Sequence, residues 1–200
     1  METTAEINRV DIEIAPGKSG IFSMLSGYGF FIEAPAGISV NTLLQKKLGL
    51  DAGYIEKHIQ TILHDGKPVD DIDGWKIKKN STIALSAALP GLFGAAFRRE
   101  GKFAALRPRE MPAESGRDPE NSAITITVKL FNLSAKELGP QLLKNGVRMS
   151  TETFRTFWKN LLKLDSGKSL NVLLNGEKID PHALAESIRP VNVLISVIAH

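Results

Sequence analysis

The hydrophobic pattern of this chain runs in two rounds. In the first, Val10, Ile12 and Ile14 alternate with Asp11 and Glu13, the period of two that marks a half-buried strand. A glycine-rich run from Gly20 to Gly29 follows, where Ile21, Phe22, Met24 and Leu25 fit a strand or an ordered loop. Phe30 to Glu33 reads as a strand stopped by Pro35-Ala36-Gly37, and Val40 to Leu48 as a short helix with Leu43, Leu44 and Leu48 on one face. Ile59 to Leu63 is a strand by its β-branched and apolar content. Asp65-Gly66 is a hairpin turn, because glycine tolerates the positive φ such turns need. Val69 begins a short return, Asn80-Ser81 turns again, and Thr82 to Leu89 is the closing strand.

The second round opens with Ile124 to Phe131, where Ile124, Ile126, Val128 and Leu130 alternate with Thr125, Thr127, Lys129 and Phe131. Ala135 to Lys144 reads as a short helix in spite of Pro140, ended by Gly146. Ser150 is an N-cap for Thr151 to Lys163, where Phe154, Phe157, Trp158, Leu161 and Leu162 fall at helical spacing and form a stripe to cover a sheet. Leu170 to Leu174, an Asn175-Gly176 turn, a helical turn over Pro181 to Ile188 and a strand from Val191 to Ile198 complete it. Laid over the first round without a gap, Leu173 meets Leu63, Asn175 meets Asp65, Gly176 meets Gly66, Ile179 meets Val69, Asp180 meets Asp70 and Ser196 meets Ser86. The chain therefore reads as two copies of one small sheet module.

The stretch FFIEAPAGISVNTLL from Phe30 to Leu44, followed later by ILHDGKPVD, resembles the β-grasp of ubiquitin-like proteins, and in particular the small sulfur-carrier subunits of molybdopterin and thiamine synthesis. The resemblance covers Val10 to Leu89 and returns over Ile124 to Ile198. It implies an α+β fold of two β-grasp modules, each a mixed sheet covered by one main helix. The expected divisions are 1–106 for the first module, 107–122 for a polar linker rich in proline and charge, and 123–200 for the second. The carriers end in a free Gly-Gly tail that is adenylated and thiolated. Here Pro90-Gly91 stands inside a continuous chain and the last residues are Ile198-Ala199-His200, so no sulfur-carrying chemistry is expected.

Composition supports a globular chain: of 200 residues, 42% are hydrophobic and 24% charged. A net charge of +3 is too mild to point to nucleic acid as the main partner. With no cysteine, disulfides, thiolate chemistry and Cys-ligated metals are excluded, which fits a cytoplasmic protein. No apolar run approaches the ~18 residues that would span a membrane. The origin expected is prokaryotic.

Candidate chemistry is sparse. His58 and His64 would share a face if one strand ran through both, but no HxH or HExxH spacing occurs, and His182 and His200 stand far away in sequence. Asp70, Asp71 and Asp73 could hold a cation, yet only Asp70 returns in the repeat, which favours a solvated turn. Ser86 and Ser196 lie inside closing strands, away from any nucleophile motif. No enzyme activity, cofactor or metal is therefore expected. The candidate surface is the Phe/Arg segment: Leu92, Phe93, Phe97, Arg98, Arg99, Lys102, Phe103 and Arg107, read as a turn at Arg98 to Lys102 between two apolar arms. It fits an amphipathic hairpin that packs its Phe side chains on the first module and leaves its arginines wet, or an interface for a protein partner or a second copy of the chain. Alternatives are an accessory role beside a sulfur-carrier pathway enzyme, and polyanion or RNA binding through Arg98 to Arg107.

Overall fold

The computed structural model describes residues 7–15, 20–87, 91–99, 101, 122–164 and 170–199. Helices and strands alternate along the chain, so the α+β class holds. The first round builds β1 (Asn8–Ile14), α1 (Gly20–Ser23), α2 (Leu25–Tyr28), β2 (Phe30–Pro35), α3 (Val40–Lys46), α4 (Ala52–His58), β3 (Thr61–His64), β4 (Lys67–Pro68), β5 (Thr82–Ser86) and α5 (Gly91–Phe97). The second builds β6 (Ala123–Phe131), α6 (Asn132–Asn145), β7 (Val147–Met149), α7 (Thr151–Leu164), β8 (Asn171–Leu174), β9 (Glu177–Ile179), α8 (Pro181–Ser187) and β10 (Val193–Ala199).

These elements pack as two compact units. A central unit is Phe31–Ala135, and a terminal unit combines Met1–Phe30 with Lys136–His200. In the central unit the strands lie in the order β4-β3-β5-β6-β2, and in the terminal unit β7-β10-β1-β8-β9. The strand pairing in each unit joins elements of both rounds. β6 runs parallel to β5, with Ile83 beside Val128 and Leu85 beside Leu130. β1 runs parallel to β10, with Val10 beside Ile195 and Ile12 beside Val197, and antiparallel to β8 on its other side. Each round's opening strand lies against the other round's closing strand. The stretch expected as a linker, 107–122, lies outside the described residues except for Ser122.

The internal repeat is seen most clearly at the two hairpins. Asp65 and Gly66 have φ of 50° and 80°, and Asn175 and Gly176 have 53° and 88°, the all-positive pair that a tight two-residue hairpin requires. Each turn is clasped to a neighbouring strand by the same two bonds. The Asp65 amide donates to the Thr82 carbonyl at 2.8 Å, and its carboxylate accepts from the Thr82 amide at 2.7 Å. The Asn175 amide donates to the Arg9 carbonyl at 2.8 Å, and its side-chain oxygen accepts from the Arg9 amide at 2.9 Å. The first clasp reaches β5; the second reaches β1. The repeat would place Val172 beside Ile195, as Ile62 lies beside Leu85, but Val172 lies beside Ile12. β1 has entered the place between β8 and β10.

α7 behaves as its stripe demands. Phe154, Phe157, Trp158 and Leu161 are buried, the Phe154 and Trp158 rings stack with centroids 5.7 Å apart, and Trp158 Nε1 donates to the Pro181 carbonyl at 2.7 Å. Other elements differ from the pattern. The glycine-rich run folds into α1 and α2, held by Ser23 Oγ donating to the Gly20 carbonyl and Ser26 Oγ to that of Ser23, both at 2.6 Å. α4 was not foreseen, although Asp51 is its N-cap and accepts from the Tyr54 amide at 2.9 Å. The closing strand β5 ends at Ser86 rather than Leu89.

Ile12 is fully buried in β1. Ile12→Ala should lower the unfolding free energy by about 2–4 kcal/mol in urea titrations. With Trp75→Phe as background, the loss should be reported by Trp158, in the second round of the chain. A change below ~1 kcal/mol, or one invisible to Trp158, would contradict the place of β1 in the terminal unit.

Candidate interaction surface

The sheet of the central unit has one face turned to its core and one turned away. Alternation along β6 puts Ile124, Ile126, Val128 and Leu130 in the core and Ala123, Thr125 and Phe131 outward. Thr61 of β3, Ser86 of β5 and Phe131 of β6 form one cross-strand row at the end where the parallel pair β5 and β6 stops. With strands ~4.8 Å apart, the row spans about 10 Å. Asn132 follows in the left-handed region at φ 54° and donates from Nδ2 to Ser86 Oγ at 3.1 Å, tying the start of α6 to the end of β5. Phe131 is 38% exposed and Leu133 45%. The other described large apolar side chains with high exposure, Met24, Leu164 and Ile198, lie in the terminal unit.

The segment singled out from the sequence arrives at this same row. Gly91 to Phe97 form α5, a helix where a turn between apolar arms was expected only further on. A turn does follow, closed by the Gly101 amide on the Arg98 carbonyl at 3.3 Å. The Arg99 amide donates to the Gln60 carbonyl at 2.8 Å, and Nη1 donates to the Ile59 carbonyl at 3.3 Å. Gln60 immediately precedes Thr61, so these bonds fix the segment beside the row. Arg99 is half-buried and grips the α4–β3 connection, whereas Arg98 is exposed and Phe97 half-buried. Leu92 and Phe93 lie on α5. Lys102, Phe103 and Arg107 lie outside the described residues.

Three buried polar atoms gather here without a hydrogen bond to the protein: Gln60 Oε1, Thr61 Oγ1 and Arg99 Nε. Each such group costs about 1–3 kcal/mol in a folded core. Departures from local satisfaction of this kind concentrate at functional sites.

The outward face of the terminal unit has a different character. Arg9 pairs with Asp11 at 2.9 Å, Ser196 Oγ donates to Asp11, and Asn171 Nδ2 donates to Glu13 at 2.7 Å. That face satisfies much of its own polarity. The same unit holds a cleft of about 630 Å³ at the start of α7, lined by Arg148, Glu152 and Arg155 among others. Its polar groups serve the fold: Arg155 donates from Nε and Nη2 to the carbonyls of Ala185 and Ile188 at 2.8 and 2.7 Å, at the end of α8. Thr151 Oγ1 donates to the Arg189 carbonyl at 3.1 Å, and Ser150 caps Thr153.

The remaining candidates resolve into local structure. Asp71 accepts from the amides of Asp73 and Gly74 at 3.2 and 2.8 Å, and Asp73 accepts from Asn41 Nδ2 at 2.7 Å, so the acidic run is a turn stitched to α3. Asp180, the repeat partner of Asp70, caps α8 through the His182 amide at 2.8 Å. Among the described residues no cluster of three or more His, Cys, Asp or Glu is placed to hold a metal ion. His58 ends α4 and stacks on Tyr54 with centroids 4.8 Å apart, so no single strand joins it to His64. No described helix is long and apolar enough to cross a membrane. Comparison with protein families, with curated proteins and with solved structures finds no match.

His64 lies on the core face of β3, 6% exposed and edge-on to Trp75. Burial pushes its imidazole below the ordinary value; the Asp65 carboxylate, 3.7 Å from Nδ1, opposes this, and the Lys78 charge adds to it. The unfolded chain therefore takes up a proton at higher pH than the folded one. Stability from the neutral imidazole is complete above its unfolded pKa of ~6.5 and is lost as pH falls below that toward the folded value. The unfolding free energy from urea titrations should drop between pH 7.5 and pH 5.5, by up to about 1.4 kcal/mol per pH unit. His64→Leu should flatten that slope, and an unchanged slope in the variant would remove His64 as its cause.

Proposed function

We propose that this protein is a non-catalytic binding or scaffold component built from two β-grasp units, and that its contact surface is the end of the central sheet where Phe131, Leu133, α5 and Arg98 lie. The observation that carries the reading is the exposure of Phe131 and Leu133 at one end of the cross-strand row whose other end, Thr61, adjoins the anchored Phe/Arg segment. Two large exposed apolar side chains at the end of a sheet suit a partner that offers an apolar patch. A second copy of the chain is the simplest such partner.

The edge strands β4 and β9 support side-chain rather than main-chain docking. β4 is only Lys67–Pro68 and β9 is Glu177–Ile179. Short edges carrying charge or proline resist strand addition.

Because Phe131 and Leu133 are exposed, replacing them should leave the fold stable within about 0.5 kcal/mol. Light scattering over a dilution series would compare the native chain with Phe131→Asp/Leu133→Asp. A native mass that rises with concentration, and a variant that stays at the single-chain mass with an unchanged melting curve, is the outcome expected for self-association. If the native chain is a monomer throughout, cross-linking should capture a protein that the variant does not. Equal mass and equal capture for both proteins would end this reading.

A further inference from the structure

We infer that the two halves of this chain, divided between Gly101 and Ser122, are partners in a reciprocal strand exchange, and that they stay bound when the chain between them is cut. The surfaces are main-chain edges. The first half offers the edge of β5, which takes β6 in parallel from Thr82 beside Thr127 to Ser86 beside Phe131. The second half offers the place between β8 and β10, which takes β1. The kind of partner each surface fits is a strand with an apolar residue at every second position.

Both inserted strands are buried along their apolar phase: Val10, Ile12 and Ile14 in β1, and Ile124, Ile126, Val128 and Leu130 in β6. β1 is paired on both sides, so withdrawing it would strip hydrogen bonds from β8 and β10 together. Each half is thus missing a strand that the other supplies. Before residue 102 the Arg99 amide is fixed to Gln60, and after residue 121 the Ser122 carbonyl accepts from the Ala36 amide at 2.8 Å. Both anchors survive a cut between them.

The test inserts a specific protease sequence after Glu110 in the full chain, together with Asp11→Cys and Leu173→Cys. The native chain has no cysteine, and these two positions face each other across β1 and β8 on the outward face. Antiparallel neighbours of this kind lie within disulfide reach. After cleavage and oxidation, the two pieces should elute together at the mass of the intact chain. On a non-reducing gel they should run as one disulfide-linked species, and under reduction they should co-elute still in native buffer and separate in strong denaturant. Pieces that elute apart in native buffer overturn the inference. So do pieces that co-elute but form no disulfide, because β1 would then not lie beside β8.

Discussion

A strand in the interior of a sheet must find hydrogen-bond partners on both sides, and in this protein that demand is met across the length of the chain. β1 sits between β10 and β8, with Val10 and Ile12 fully buried. The hairpin at Asn175 closes on Arg9, and Asn8 donates to the Arg189 carbonyl at 3.0 Å, so the start of the chain is tied to the turn after β8 and to the segment before β10. β6 does the corresponding work beside β5. The covering helix α7, the cap on α8 and the two hairpin clasps all rest on sheets that these strands complete.

That arrangement also shapes where a partner can act. With the parallel strands internal, the edges at β4 and β9 are short and charged or proline-bearing. The terminal unit occupies its outward face with Arg9–Asp11, Ser196–Asp11 and Asn171–Glu13 pairs. The central unit instead leaves Phe131 and Leu133 exposed at the end of its parallel pair, with the Arg99 turn anchored to Gln60 at the other end of the same cross-strand row. The contrast between two outward faces of similar strand order is what favours the central one as the contact surface.

Much of the local structure could be read from residues alone. The Phe154 to Leu161 stripe became α7, and Ser150 became its cap. Both glycine turns formed with the backbone angles their residues favour. Phe131 falls on the outward phase of the β6 alternation, so its exposure was legible, although the Phe/Arg segment drew attention away from it. α4 is signalled only by its Asp51 cap because its apolar content is low, while in α1 and α2 glycines weaken any periodic signal. Arg99 could not be told from Arg98 by sequence, since only packing turns one toward the Ile59 and Gln60 carbonyls and leaves the other exposed.

Sequence by itself determined most of the strands, α7 and the two hairpins, because spacing, caps and turn residues act within a few positions of one another. Strand partnership was decided only by the tertiary structure. β1 and β6 carry the same alternation of apolar residues, and alternation specifies a face and a period but not a neighbour. A strand fits beside any edge that offers free hydrogen bonds and an apolar face in register. Which edge it takes depends on the whole set of strands competing for it, and here each opening strand settled against the closing strand of the other half.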